Sequence, residues 1–182
     1  MRELILGGQR SGKSARAEML AARWLGASST HRSVFIATAT AWDDEMRERI
    51  ARHRSDRAQR VPGMVTVEEP VDLVGVLAQY DTAHTLVVVD CLTLWLTNLL
   101  MPAQGEVEQP GTRAAALVHA IATHTGSLIL VSNEIGLGVI PLGAEVRAFV
   151  DTLGRLNQQV AAACDRVTLM AAGLPLTLKG NA

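Results

Sequence analysis

Lysine is almost missing from this chain: Lys13 and Lys179 are the only two, so nearly all of its positive charge is arginine. Cysteine is equally scarce. Cys91 and Cys164 stand far apart, each in an apolar setting beside a predicted strand, with no CxxC or Cys/His spacing. That argues against a zinc site and for buried free thiols in a reducing compartment. An excess of one charge is lacking too. With 17 basic and 18 acidic residues the net charge is −1, so no whole-chain field draws in nucleic acid or an anionic membrane. The longest apolar run, residues 86–101, is broken by Asp90, Thr93, Thr97 and Asn98, so no membrane span is expected. The opening residues Met1–Leu6 are too short an apolar stretch for a signal peptide, and neither an internal repeat nor a low-complexity tract is present. The expectation is a cytoplasmic protein whose 182 residues form one domain over 1–182, with 48% hydrophobic residues to build its core.

What is present is an alternation. Short β-branched runs at 3–6, 34–37, 65–68, 85–90, 128–133 and 166–171 are apolar throughout, the pattern of parallel strands buried on both faces. Between them, 13–24, 43–57, 70–80, 112–123 and 145–163 carry helical spacing, with Pro70 predicted at one helix start and Asp43 as the N-cap of another. Repeated βα units imply an α/β fold: a mostly parallel sheet with helices on both faces. Gly173-Leu174-Pro175 is predicted to turn the chain into a final antiparallel strand, 176–179. The segment 101–111, rich in Pro, Gly and Gln, reads as a surface excursion, with a lid or an oligomer contact as alternatives.

Gly7-Gly8-Gln9-Arg10-Ser11-Gly12-Lys13-Ser14 satisfies GxxxxGK[ST] directly after a strand and at the start of a helix, the context this phosphate-binding loop requires. Glycine at 7 and 12 lets backbone N–H groups turn inward towards phosphate oxygens, and the helix N-terminus adds positive potential. Lys13 can then reach β/γ-phosphates, and the Ser14 hydroxyl can ligate Mg²⁺. Asp90 ends an apolar strand, 86–90, where the acid that orders the magnesium shell belongs. The competing reading makes Asp90 a cap for a helix over 92–100. Asn133 and Glu134, followed by glycines, lie at a third strand end; they could reach the γ-phosphate or simply turn the chain.

The helix over 43–60 is charged, and six arginines between Arg47 and Arg60 suggest a solvated face. Met46, Ile50 and His53 nevertheless share one stripe at i, i+4, i+7, so His53 is predicted to point with the apolar face. Spacing alone leaves two readings open, a packed histidine and a catalytic one.

Taken together, 7–14, Ile36-Ala37-Thr38, the 43–53 helix with His53, Asp90-Cys91-Leu92-Thr93 with Thr97-Asn98-Leu99-Leu100, Asn133-Glu134-Ile135-Gly136-Leu137-Gly138, and Gly154-Arg155 with Asn157-Gln158 resemble the adenosylcobinamide kinase/adenosylcobinamide-phosphate guanylyltransferase family. The motifs occur in that family's order and cover nearly the whole chain. The resemblance implies a RecA-like P-loop fold, a homotrimer, Mg²⁺, ATP and GTP as substrates, and a corrinoid, adenosylcobinamide, as acceptor. It implies that His53 becomes guanylylated and that Lys13 serves phosphoryl transfer. It places nucleotide contacts on Gly7, Gly8, Gln9, Arg10, Ser11, Gly12, Lys13, Ser14, Thr38, Ala39, Thr40, Arg54, Ser55, Asp56, Arg57, Glu68 and Asp90, with Ser14 and Asp90 towards the metal. Two further readings compete: a monofunctional small-molecule kinase, and a nucleotide-dependent regulatory module without catalysis.

Overall fold

The computed structural model describes residues 1–41, 44–101 and 110–180. Seven strands form one sheet: β1 (Arg2–Gly7), β2 (Arg32–Ala37), β3 (Met64–Glu68), β4 (Thr85–Asp90), β5 (Ser127–Val131), β6 (Arg166–Ala171) and β7 (Leu174–Lys179). Their order is β3-β2-β4-β5-β1-β6-β7, parallel throughout except for the β6/β7 hairpin. Six helices connect them: α1 (Lys13–Ala27), α2 (Asp44–Arg60), α3 (Leu73–Gln79), α4 (Leu92–Leu100), α5 (Pro110–Thr123) and α6 (Ala144–Ala163).

Period-two alternation sorts the strand residues onto two faces. Leu4, Leu6, Val87, Val89, Leu128 and Leu130 pack with Leu73, Trp95, Leu117, Ile121, Leu156 and Val160, so α3, α4, α5 and α6 cover one face. Ile5, Phe35, Val88, Ile129 and Val131 pack with Ala17, Ala21 and Val61, which sets α1 and the end of α2 on the other. Side chains this fully buried are each worth about 1.5–3 kcal/mol over exposure. They hold the central strands in a fixed register, and that register decides which loops meet at the carboxyl edge.

Three local expectations need correction. Pro70 does not start α3: Asp72 is the N-cap, accepting from the Gly75 amide at 3.1 Å, and the helix begins at Leu73. The final strand starts at Leu174, because the two-residue turn falls on Ala172 and Gly173, both with positive φ (51° and 81°). That is the twist-matched geometry of a tight hairpin, and Pro175 is tolerated because β7 is an edge strand. Strand β5 ends at Val131, leaving Asn133 in the loop beyond it. Asp43, predicted as an N-cap, residues 102–109 of the proline-rich segment, and the Met46 side chain of the expected stripe lie outside the described residues.

Among the described residues no helix is long and apolar enough to cross a membrane.

Candidate active site

The carboxyl ends of β1, β4 and β2 bring most of the predicted residues together. The loop after β1 is shaped by backbone requirements: Gly7 has φ 154° and Gly12 φ 101°, and a Cβ on Gly7 would sit 2.5 Å from Ser11 Oγ and 2.6 Å from the Met170 carbonyl oxygen. Gly12 is the N-cap of α1 with no side-chain cap, and the first turn carries no acidic residue. The helix therefore offers its free N–H groups and positive end to an anion.

Lys13 is buried, 8% exposed, and its Nζ donates to the carbonyl oxygens of Gly7 at 3.0 Å and Gly8 at 2.7 Å. Burial lowers its pKa from the ordinary lysine value, and nearby Asp90 opposes that shift. The Ser14 hydroxyl donates to Asp90 Oδ2 at 2.7 Å. Burial raises the pKa of the Asp90 carboxyl, against the Ser14 hydrogen bond and the charges of Lys13, Arg57 and His53. The capping alternative for Asp90 fails, because Cys91 is the N-cap of α4 and Asp90 is engaged with Ser14. The Asp90–Cys91 peptide is cis.

Around this centre the loops are fastened by buried polar side chains. Thr38, fully buried, donates to the Cys91 carbonyl at 2.7 Å and accepts from the Cys91 amide at 2.8 Å. Its hydroxyl is therefore committed to the backbone beside Asp90. Asn98 donates to the carbonyls of Thr38 at 2.8 Å and Pro70 at 3.0 Å, and Thr40 Oγ1 lies 3.5 Å from Asn98 Oδ1. Thr93 accepts from the Asn133 amide at 2.9 Å, and Asn157 donates to the Asn133 carbonyl at 3.1 Å. Glu134 joins the phosphate loop through its main chain, its amide donating to the Gly7 carbonyl at 3.1 Å, while its carboxylate accepts from Gly136 at 2.8 Å. These ties explain why the family-like segments around Thr93, Asn98 and Asn157 lie far apart in sequence yet bear on one site. Apart from the family resemblance, polar residues inside apolar helices are their one mark in the sequence.

Helix α2 stands over the outer part of this edge. His53 is exposed, which overturns its packed-core reading. Arg57 departs from the expected solvated face. It is buried, its guanidinium carbon lies 3.6 Å from the centre of the Phe35 ring, and Nη2 donates to Thr66 at 3.3 Å. Burial lowers its pKa from the ordinary arginine value, with Glu18 and Asp90 opposing. Arg60 reaches Glu18 of α1 at 3.1 Å, and Asp56 pairs with Arg60 at 3.6 Å. On the other side of α2, Ala37, Ala39, Ile50, Arg54, Ser55 and Glu68 line a groove of about 600 Å³, across which Arg54 meets Glu68 at 3.5 Å.

A glycine-shaped loop, an uncapped helix N-terminus, an inward lysine and a serine–aspartate pair at the edge of a parallel sheet define a P-loop nucleotide-binding protein. β5 is inserted between the loop strand and the aspartate strand, the RecA-like arrangement. A flagellar accessory protein, FlaH from Methanocaldococcus jannaschii, shares this fold at TM-score 0.57 and 14% identity, over 99% of this chain and 78% of that one. Residues 3–178 match the family model described as cobinamide kinase / cobinamide phosphate guanyltransferase. The bifunctional adenosylcobalamin biosynthesis protein CobP of Pseudomonas aeruginosa is 49% identical over 100% of this chain and 99% of its own length. The corresponding CobU of Escherichia coli is 35% identical over 97% and 98%. The chain belongs to the cobinamide kinase/cobinamide phosphate guanyltransferase family, and is a bifunctional transferase of cobalamin biosynthesis.

Proposed function

We propose that the two half-reactions divide between the phosphate loop and His53. In the first, the hydroxyl of the adenosylcobinamide aminopropanol arm attacks the γ-phosphate of ATP or GTP. A carbon-borne oxygen–phosphorus bond forms, the bond to the β-phosphate oxygen breaks, and the nucleoside diphosphate leaves. Lys13 exchanges its two carbonyl partners for β/γ-phosphate oxygens, and the loop amides with the α1 N-terminus hold the charge that develops. Ser14 Oγ and Asp90 Oδ2, 2.7 Å apart, are hard oxygen donors suited to Mg²⁺. The described residues include no cluster of three or more metal-ligating side chains, so a metal here would draw its other ligands from water and phosphate, as Mg²⁺ does. When bound, Mg²⁺ would neutralise charge on the phosphate oxygens.

In the second reaction a ring nitrogen of His53 attacks the α-phosphate of GTP. A phosphorus–nitrogen bond forms and pyrophosphate leaves. The phosphate of the new cobinamide phosphate then attacks that phosphorus and frees the histidine, giving adenosylcobinamide-GDP. A neutral imidazole nitrogen is nucleophilic, and the phosphorus–nitrogen bond it forms breaks readily. The groove containing Ala39, Arg54, Ser55 and Glu68 takes the guanosine, with Arg54 and Arg57 beside its phosphates. The working assembly in this reading is a homotrimer. One observation supports the proposal: His53 is exposed on α2 beside Arg54 and Ser55, which line the groove that opens next to the ends of β2 and β3.

Intact mass after incubation with GTP and Mg²⁺ tests it. Wild type is expected to gain one GMP, released by acid and stable to alkali as a phosphoramidate is. His53→Ala should gain none while still phosphorylating adenosylcobinamide. Labelled, folded His53→Ala protein would move the carrier elsewhere.

A further inference from the structure

The largest unexplained feature of the surface lies beside the phosphate loop. After β5 the chain runs through Glu134 to Val146, and within it Leu137, Val139, Ile140 and Leu142 are 77–98% exposed, with Ile135 and Val146 also open to solvent. Six large apolar side chains open to solvent within a dozen residues are the kind of exposure that marks a binding surface. The segment is tied at both ends. At its start the Glu134 amide donates to the Gly7 carbonyl at 3.1 Å and the Glu134 carboxylate accepts from Gly136. At its end Arg147 of α6 donates to the carbonyls of Pro141 at 2.9 Å and Leu142. The apolar side chains are thus presented from a fixed base that hydrogen-bonds the phosphate loop itself.

Resting on the function proposed above, we infer that the 135–146 segment is the docking face for the corrinoid acceptor. Three observations favour this occupant. The acceptor hydroxyl must reach the γ-phosphate at the loop, and it is tethered to the macrocycle by a short arm, so the ring must lie beside the loop. On the β2/β3 flank the 600 Å³ groove is lined by the residues assigned to the nucleotide, and the 360 Å³ groove between α1 and Arg60 lies behind the phosphate-loop helix. Two apolar exposures remain: Leu174, Leu176 and Leu178 run along the edge strand β7 away from the loop, whereas the segment after β5 stays at the carboxyl edge where the γ-phosphate lies. Second, a corrin presents broad, methyl-rich faces, which apolar side chains cover at about 25 cal/mol per Å². Third, the charges match. Cobalt(III) bearing an anionic corrin and an anionic adenosyl ligand leaves the acceptor with a net positive charge, and residues 134–147 contain Glu134 and Glu145 against one cation, Arg147, whose guanidinium is engaged by the Pro141 and Leu142 carbonyls.

The test uses full-length Val139→Asp and Ile140→Ser variants, with adenosylcobinamide as the probe in equilibrium dialysis and in the kinase assay. We expect the KM and the dialysis Kd for adenosylcobinamide to rise about tenfold or more, the loss of roughly one well-buried apolar side chain. Guanylylation of His53 by GTP without corrinoid, the KM for nucleotide and the oligomeric state by light scattering should stay as in wild type. Unchanged corrinoid affinity in both variants would overturn the inference. So would dissociation of the assembly with corrinoid affinity retained, which would give the patch to a second copy of the chain. If wild type itself fails to phosphorylate adenosylcobinamide, the proposed function fails instead.

Discussion

The phosphate loop and the helix that carries His53 face the same space but are built in opposite ways. Around the loop almost every functional atom is spoken for: Lys13 by two carbonyls, Ser14 by Asp90, and Thr38 by both polar atoms of the Cys91 backbone. On α2, His53 stands in solvent, while the same helix is fastened nearer its end by Arg57 against Phe35 and Arg60 against Glu18. The contrast follows the chemistry. Phosphoryl transfer to a substrate hydroxyl gains most from groups held in advance where charge develops. A covalent carrier must instead meet first a nucleotide and then a second substrate, so its nucleophile has to remain accessible.

Three substitutions press on that contrast. The largest effect is expected at Lys13→Ala, which removes the charge at the transferred phosphoryl group; phosphorylation of adenosylcobinamide should fall by at least about a hundredfold in a protein that circular dichroism shows to be folded. Near-normal kinase activity there would dissolve the distinction between the two regions. A middle effect is expected in stability. Thr38→Val strands the buried Cys91 amide, while the Cys91 carbonyl keeps the Trp95 amide, and should cost about 1–3 kcal/mol in chemical denaturation, whereas His53→Ala should stay within about 0.5 kcal/mol of wild type. Equal losses at the two positions would mean that His53 is structural after all.

The smallest effect lies at the opposite edge of the sheet and serves as a control for both regions. His124 is buried, with Nδ1 3.5 Å from Asp81 Oδ1 and Nε2 lacking a hydrogen-bond partner among the described residues. Burial lowers its pKa, with Asp81 opposing. Burial also acts to raise the Asp81 pKa, but hydrogen bonds from the Thr125 hydroxyl and amide, the His124 charge and the Gly126 amide bring it below the ordinary value. Below the ordinary histidine pKa the unfolded chain binds the proton that folded His124 resists, so stability falls as pH drops from about 6.5. The Asp81 contribution persists there and is lost only in the acid range below its unfolded pKa. Thermal melts should therefore show a declining Tm between pH 7 and 5, with a shallower decline in His124→Gln. An unchanged slope in that variant would assign the pH dependence to other groups.

Much of this was legible in the chain. The β-branched runs at 85–90 and 166–171 match their strands end for end, because buried parallel strands tolerate little else. Gly7–Ser14 and Asp90 could be read because their chemistry is local. Arg57 could not: in a helix with arginines at 47, 49, 52, 54, 57 and 60, the sequence does not show which one packs against Phe35 and Thr66. Thr38 illustrates the same limit, since a threonine after a strand says nothing of a peptide 53 residues away. Nor does local pattern place β5 between β1 and β4, an order set by long-range packing on both faces of the sheet.

That order also bears on how the molecule comes to exist. β1 is made before the other six strands, yet its neighbours are β5 and β6, and the turn at Gly173 donates to the Ser11 carbonyl to close the phosphate loop from behind. Until β5 has been made β1 has no partner strand, and only with β6 and the turn at Gly173 is the phosphate loop closed. Pairing of this kind is slow and leaves a nascent chain open to association with others. The enzyme's capacity to bind nucleotide is therefore a property that arrives late in its synthesis.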